Sequence, residues 1–480
     1  MKGDKVRTRF APSPTGYLHI GGLRTALYGY LFAKKSGGDF ILRIEDTDLQ
    51  RYVEGSVELI YSTLKDAGII YDEGPDAGGG YGPYIQSQRK DIYIKYAREL
   101  VKTGGAYYCF CGKERLEGLT DENGNRKYDK KCLKLSKAEV EKNLKSGMPY
   151  VIRQNIPEDI VSSYTDMVFG EISVAGKDME DGVLLKSDGM PTYNFANVVD
   201  DHLMGINYVM RGTEYLSSTP KYNLIYDSFG WKRPVYIHMP PIMKNATEKL
   251  SKRNGAASYA DFIEKGYVKE AVVNYIALLG WSPKSNKEKL SMSELKELFS
   301  LEGINKSAAI FDEAKMRWLS GEYIKEMPDG EFLKLAGPYL DKSKLYGKGY
   351  DYKKLIKILK PRVELLTEIP EKVNFLEEFE KYDIILFENQ KMKLTAELAK
   401  TVLPLIINAL SDVKEFNYDN IHAAFAEVVS VNGLKNGQVF YTARVALSGK
   451  ESTAGGGVEI AEILGKEESL RRLRFSLSLL

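Results

Sequence analysis

Three groups of residues in this 480-residue chain have types and spacing that could do chemistry. The first is the loop "APSPTGYLHIGG", in which His19 is followed by Gly21 and Gly22. If a helix starts there, its free amides and the positive end of its dipole make a natural seat for phosphate. Glycines would let a nucleotide lie against the backbone. A histidine satisfied in a tight turn has the same signature, so the loop alone leaves both readings open. The second group is "EKLSKRNG", which sets Lys249, Lys252 and Arg253 around Ser251. Lysines on a loop can neutralise charge developing on a leaving pyrophosphate, although an isolated cluster of this kind is ordinarily a solvated basic turn. No Walker A sequence is present. The third group is Cys109, Cys111 and Cys132, the only cysteines of the chain, all within one short segment. Their clustering favours a shared site over incidental thiols.

Elements must hold these groups in place. Val6, Thr8 and Phe10 alternate with Arg7 and Arg9, the period-two pattern of a half-buried strand. Leu23, Ala26, Leu27, Tyr30 and Leu31 follow at the spacing of one amphipathic helix face, and "GGDFILRIED" supplies a second apolar run. Strand, loop, helix and strand in this order form a right-handed crossover unit of a parallel sheet. The segment 106–195 changes character, with short strands and charged connections, and reads as an insertion within the sheet domain. Apolar strand patterns then return, and beyond "AVVNYIALLGW" the chain becomes mostly helical in pattern.

Composition bounds the function classes. The 68 basic and 66 acidic residues leave a formal +2, which neither demands nor excludes a nucleic-acid partner. No apolar run reaches the ~18 residues of a membrane span, and the first ten residues lack a signal-peptide core. Three cysteines cannot form a fully paired disulfide framework, so a reducing, cytoplasmic setting is expected. The length implies two to four domains.

The motifs together resemble a known family. "RFAPSPTGYLHIGG" is similar to the first signature of class I aminoacyl-tRNA synthetases in its glutamyl form, and "KLSKR" to the second. Between and after them, "RIEDTD", "PTYNFANVVDDHLMGINYVMRGTEY" and "AIFDEAKMRWLSGEYI" resemble segments of the bacterial glutamyl-tRNA synthetases. The likeness is strongest up to about residue 320 and extends to the end of the chain. It implies an α/β fold, with a Rossmann-type, doubly wound parallel-sheet catalytic domain (1–105 and 196–255). An inserted α/β acceptor-binding domain (106–195), a helical stem-contact domain (256–325) and a helical anticodon-binding region (326–480) would complete it.

The resemblance also implies a reaction. The glutamate α-carboxylate would attack the α-phosphorus of ATP, accompanied by Mg²⁺, and the terminal ribose hydroxyl of tRNA(Glu) would then attack the adenylate. His19, Lys249 and Lys252 would stabilise phosphate charge, with Gly21, Gly22, Glu214 and Ser251 completing the ATP site. Arg9 and Arg211 would hold carboxylates through bidentate, charge-assisted bonds, and Glu45 would pair with the ammonium group. Ala11, Ser13, Tyr193 and Asn197 would complete the glutamate pocket. Gly22 stands where the class signature commonly has a second histidine, a glycine many bacterial glutamyl enzymes share. Leu250 replaces a commoner methionine, a volume-conserving swap. Some relatives hold structural zinc through a Cys-x-Cys pair, a later cysteine and a fourth ligand. Lys134 occupies the position where that ligand is often histidine, whereas Tyr128 stands where other relatives use tyrosine. The expected set is therefore Cys109, Cys111, Tyr128 and Cys132. Adenylate formation is expected to need bound tRNA, and the chain to work as a monomer. An enzyme that also charges tRNA(Gln) would share this active site. A glutaminyl enzyme is disfavoured by the helical tail, and a non-catalytic RNA-binding protein by the intact motifs.

Overall fold

The computed structural model describes residues 5–119, 128–250, 258–343, 345, 349–377 and 379–480. It groups into two compact units, one of residues 1–261 and 272–312, the other of residues 262–271 and 313–480. Residues 272–312 join the sheet-bearing unit.

The first strand, β1 (Arg7–Phe10), leads through the "APSPTGYLHIGG" loop into α1 (Ile20–Lys35) and returns as β2 (Asp39–Leu42), parallel to β1. The crossover expected from the periodicities is therefore present. The strand is not half-buried, however. Thr8, Arg9 and Phe10 are all buried, since helices cover a parallel sheet on both faces. The two arginines are tolerated there because Arg7 pairs with Asp39 and Glu73, and Arg9 with Asp201. Helix α1 is likewise buried on more than one face. The Tyr28 hydroxyl donates to the carbonyls of Ala277 and Leu279, each at 3.0 Å, so a second layer covers the side away from the sheet. Gly29 lets α1 approach closely, since a Cβ there would stand 3.2 Å from the Phe40 ring.

Two further helices, α2 (Ser56–Asp66) and α3 (Lys90–Lys102), precede the segment expected to be inserted. Within that segment, β3 (Ala106–Cys109) is followed by the short helices α4 (Lys113–Glu117) and α5 (Lys137–Lys145) and by β4 (Val151–Gln154). Strands β5 (Val161–Asp166), β6 (Gly170–Ala175) and β7 (Val183–Leu185) come next. A three-stranded antiparallel sheet β3-β4-β7 forms separately, as an insertion would. The pair β5 and β6 behaves otherwise. After α6 (Tyr193–Leu203), β8 (Tyr208–Gly212), α7 (Thr219–Ser228) and β9 (Val235–Met239), the order β6-β5-β9-β8 is a single sheet. Strands β5 and β6 of the inserted segment thus extend the sheet of β8 and β9, while β3-β4-β7 stands apart from it.

Strand β8 lies against the free side of β1, where the Asn207 side chain accepts from the Arg7 amide at 2.7 Å. The chain therefore leaves β1 toward β2 on one side, and β8 and β9 extend the layer on the other. Such a reversal of strand order opens a crevice at the carboxyl ends of the strands, where open α/β sheets bind ligands.

The second unit is helical, with no strand among its described residues. Its larger helices are Glu313–Glu326, Asp329–Lys342, Ala396–Asp412, Tyr418–Val431, Asn436–Ser448 and Lys466–Leu479. Their apolar faces close a core that includes Leu403, Ile406, Phe425, Val439 and Leu473. No helix among the described residues is long and apolar enough to cross a membrane.

Candidate active site

The crevice between β1 and β8 opens into a cavity of about 890 Å³. Arg9, Phe10 and Ala11 reach it from the end of β1, and Met210, Arg211 and Gly212 from the end of β8. Ser13, Gly22, Glu45, Tyr193 and Glu214 line it too. Residues expected in the glutamate and ATP sites thus share one cavity, although Arg9 and Glu214 stand 205 positions apart in sequence.

The electrostatics of the wall are set by a buried ion network. Arg9 Nε donates to Asp201 Oδ1 and Oδ2 at 3.1 and 3.3 Å, and its Nη1 donates to the Met210 carbonyl at 3.1 Å. Arg43 Nη1 donates to the same carboxylate at 2.7 Å, and Arg43 Nη2 to Glu45 Oε1 at 3.0 Å. Burial alone would raise the Asp201 carboxyl, but Arg9 and Arg43 hold it below the usual carboxylate range. Glu45 goes the other way. Burial raises it, and Arg43 offsets this only in part, so an added cation beside Glu45 would be favourable.

Arg211 has different company. Its Nε donates to His238 Nε2 at 3.1 Å and its Nη2 to the Thr219 hydroxyl at 2.6 Å. The rings of Tyr215, Tyr222 and Tyr236 lie 5.0–5.3 Å from the guanidinium carbon. No carboxylate among the described residues pairs with it, although it is 95% buried by its 5% exposure. A buried guanidinium surrounded by neutral partners is costly by several kcal/mol until an anion reaches it. Tyr193 is a neutral donor in the same wall, because burial and then Glu45 push its phenol well above its ordinary value.

Three expected residues are placed less directly. Asn197 is buried one helical turn on from Tyr193, gives its amide proton to the Tyr193 carbonyl at 2.6 Å, and does not line the cavity. His19 is the N-cap of α1, and its Nδ1 accepts from the Gly21 amide at 3.0 Å. With Nδ1 accepting, the proton of the neutral ring sits on Nε2 and makes that atom a donor. At Gly22 a Cβ would stand 3.0 Å from the end of the Leu18 side chain, which would have to shift by a few tenths of an ångström to admit a larger residue. Lys249 makes a single antiparallel bridge to Met243. Ser251, Lys252 and Arg253 lie outside the described residues.

The cysteines converge as well. Sγ of Cys109, Cys111 and Cys132 lie within 4.8 Å of one another. Cys111 Sγ is 3.5 Å from Cys132 Sγ, and the Tyr128 hydroxyl is 3.3 Å from Cys109 Sγ and 3.8 Å from Cys111 Sγ. Zinc–sulfur bonds of ~2.3 Å in a tetrahedron put sulfurs about 3.8 Å apart, so the four atoms suit one ion. The Phe110 amide donates to Cys132 Sγ at 3.4 Å, and the Arg153 guanidinium lies 4.2 Å over the Tyr128 ring, both suited to anionic ligands. Lys134 is exposed on the adjoining turn.

Comparison with known proteins decides the family. The tRNA synthetases class I (E and Q), catalytic domain, match residues 5–318. The glutamate–tRNA ligase of Clostridium kluyveri is 54% identical over 477 residues, covering 98% of each chain. The chain belongs to the class I glutamate–tRNA ligase family. A second ligase of this family, from Clostridium novyi, is 54% identical and covers 99% of this chain and 98% of its own. The crystal structure of a glutamate–tRNA ligase from Elizabethkingia meningosepticum, in complex with its amino acid, superposes with a TM-score of 0.89. It is 35% identical and covers 99% of this chain and 100% of its own. An anticodon binding domain matches residues 331–477, within the helical unit.

Sequence reasoning overlooked the residues that support the site in this ligase-family fold. Arg43 and Asp201 are one buried bridge, and Asp166 and His238 another, yet the partners lie 158 and 72 positions apart. The one sequence signal was "VVDD", adjacent carboxylates inside an otherwise apolar helix pattern.

Proposed function

We infer that the chain ligates L-glutamate to the 3′ end of tRNA with ATP, through glutamyl-adenylate, releasing AMP and pyrophosphate. The observation that carries this reading is Arg211, a buried cation lining the cavity with no carboxylate partner among the described residues, in a wall that also holds Glu45. Glutamate supplies the missing anion through its side chain and the missing cation through its ammonium group. Arg9, already shared with Asp201, orients a carboxylate through its remaining edge, and Tyr193 and Ser13 add neutral hydrogen bonds. We assign Ala11 and Asn197 to the same pocket, Ala11 for its place in the wall and Asn197 for its place behind Tyr193.

No covalent nucleophile is required. The adenylate forms by orientation of the glutamate carboxylate against the α-phosphorus, with phosphate charge stabilised by His19, Lys249 and Lys252. Gly21 and Gly22 leave the N-terminus of α1 open to phosphate, while Glu214 and Ser251 complete the nucleotide site. Mg²⁺ arrives with ATP rather than in an all-protein cage.

Cys109, Cys111, Tyr128 and Cys132 would hold one structural zinc, which ties β3 to the turn at Cys132. Three free thiols in one site suit a reducing, cytoplasmic setting. Acceptor-end contacts belong to 106–195, stem contacts to 256–325 and the anticodon to 326–480. The chain is taken to work as a monomer. The catalytic parts fall at 1–105 and 196–255.

The test is aminoacylation of separate transcripts of tRNA(Glu) and tRNA(Gln) with labelled glutamate. Glutamyl-tRNA(Glu) is the expected product. Failure to charge either tRNA would refute the reading, and glutamyl-tRNA(Gln) would broaden the acceptor without changing the chemistry.

A further inference from the structure

We propose that Asp166 and His238 are positioning residues that fix the Arg211 guanidinium for the substrate's side-chain carboxylate. The proposal rests on the pocket reading above, in which Arg211 receives that group. His238, on β9, has no exposed surface and stands between Asp166, at the end of β5, and Arg211, at the end of β8. Its Nδ1 is 2.7 Å from Asp166 Oδ2, which also accepts from the His238 amide at 3.1 Å. Its Nε2 is 3.1 Å from Arg211 Nε. A carboxylate only accepts and a guanidinium N–H only donates, so a single tautomer satisfies both neighbours. The proton sits on Nδ1 and the lone pair of Nε2 faces Arg211.

The anchor at the far end is backbone. Asp166 Oδ1 accepts from the amides of Val168 and Phe169, each at 2.9 Å. The chain of contacts therefore runs from the turn after β5 through a carboxylate and an imidazole to Arg211 Nε. A second hold comes from Thr219, whose hydroxyl accepts from Arg211 Nη2 and donates to the Tyr215 carbonyl at 2.7 Å. Two of the three guanidinium nitrogens are thereby fixed, and Nη1 has no hydrogen-bond partner among the described residues.

The choice of imidazole has an electrostatic consequence. A carboxylate placed directly on Nε, as Asp201 is on Arg9, would orient the guanidinium but neutralise it. A neutral ring orients it and leaves its charge for the ligand. Burial pushes the His238 imidazole below its ordinary value, which keeps the ring neutral beside Arg211. The device therefore separates orientation from neutralisation, and it should bear on glutamate alone.

The experiment compares His238→Asn, His238→Gln, Asp166→Asn and Arg211→Ala in aminoacylation, reading KM for glutamate and for ATP separately. His238→Asn keeps a donor toward Asp166 but removes the acceptor for Arg211. His238→Gln places an amide oxygen near the Nε2 position. In Asp166→Asn the two backbone amides claim the side-chain oxygen, so the NH₂ faces the ring and drives its proton to Nε2, against Arg211. We expect His238→Asn and Asp166→Asn to raise KM for glutamate by about tenfold or more, the loss of one charged hydrogen bond. KM for ATP should stay within about twofold of wild type and His238→Gln should recover most of the loss. ¹⁵N spectra of histidine-labelled wild type, with four histidines in the chain, should show His238 protonated on Nδ1. A raised glutamate KM in Arg211→Ala with an unaltered one in His238→Asn would overturn the proposal alone. So would equal losses in His238→Asn and His238→Gln, or a wild-type proton on Nε2. An unchanged glutamate KM in Arg211→Ala would instead overturn the pocket reading, and the proposal with it.

Discussion

At Arg9 the guanidinium is shared with Asp201, whereas among the described residues Arg211 meets an imidazole, a hydroxyl and aromatic faces but no carboxylate. That contrast makes Arg211 the stronger electrostatic partner for a ligand. Arg211→Ala should raise KM for glutamate by about 100-fold, the ~3 kcal/mol upper range of a hydrogen bond to a charged group. Arg211→Lys should rescue little, because an ammonium cannot use the His238 and Thr219 contacts that hold a planar fork. Steady-state kinetics in glutamate checks both, and a lysine variant of wild-type KM would contradict the fork. Lys252→Ala should lower adenylate formation by about 100-fold or more, the scale of losing one group that stabilises developing charge. Glutamate-dependent ATP–pyrophosphate exchange with tRNA present, on protein of unchanged thermal stability, is the measurement. Most of these residues were legible as types in motifs. Asp201, Asp166 and His238 were not, because nothing local pairs a carboxylate with an arginine 192 positions away.

Among elements, the β1–α1–β2 crossover was legible because its two periodicities are clean and the loop between them is rich in turn residues. Burial of β1 was not, since alternating arginines read as solvent-facing until long-range carboxylates neutralise them. Strands β5 and β6 escaped for a related reason, as short strands carry no mark of the sheet they join. The network joining β1, β2 and α6 should carry stability as well as function. Asp201→Asn removes one partner of two buried arginines, which should destabilise by ~3–5 kcal/mol near neutral pH. The Asp201 carboxyl is held below its unfolded value, so its contribution is full above about pH 4 and fades as pH falls through the folded value. The gap in unfolding temperature between wild type and Asp201→Asn should therefore close in acid, and a gap that widens there would contradict the network. In the β3–β4–β7 sheet, protein purified without chelator should contain about one zinc per chain, reduced by Cys109→Ser. Less than about a tenth of an equivalent in fully active protein would mean the thiols are only buried.

For the whole molecule, the sheet-bearing unit holds most of the matched class I catalytic domain and the helical unit holds the matched anticodon binding domain. The helical character of the C-terminal part was legible from the shift to helical periodicity, whereas the packing of residues 272–312 with the sheet unit leaves no local mark in the sequence. What the molecule must do is choose an amino acid with a side-chain carboxylate over the corresponding neutral side-chain amide. A site whose buried cation is left unpaired by the wrong ligand can discriminate by about 10⁴-fold or more. The decisive measurement is charging of tRNA(Glu) with glutamate and glutamine supplied together, followed by identification of the esterified amino acid. The account predicts glutamyl-tRNA alone. Glutaminyl-tRNA in comparable amount would contradict the assignment of Arg211 and with it the chemistry proposed for the cavity.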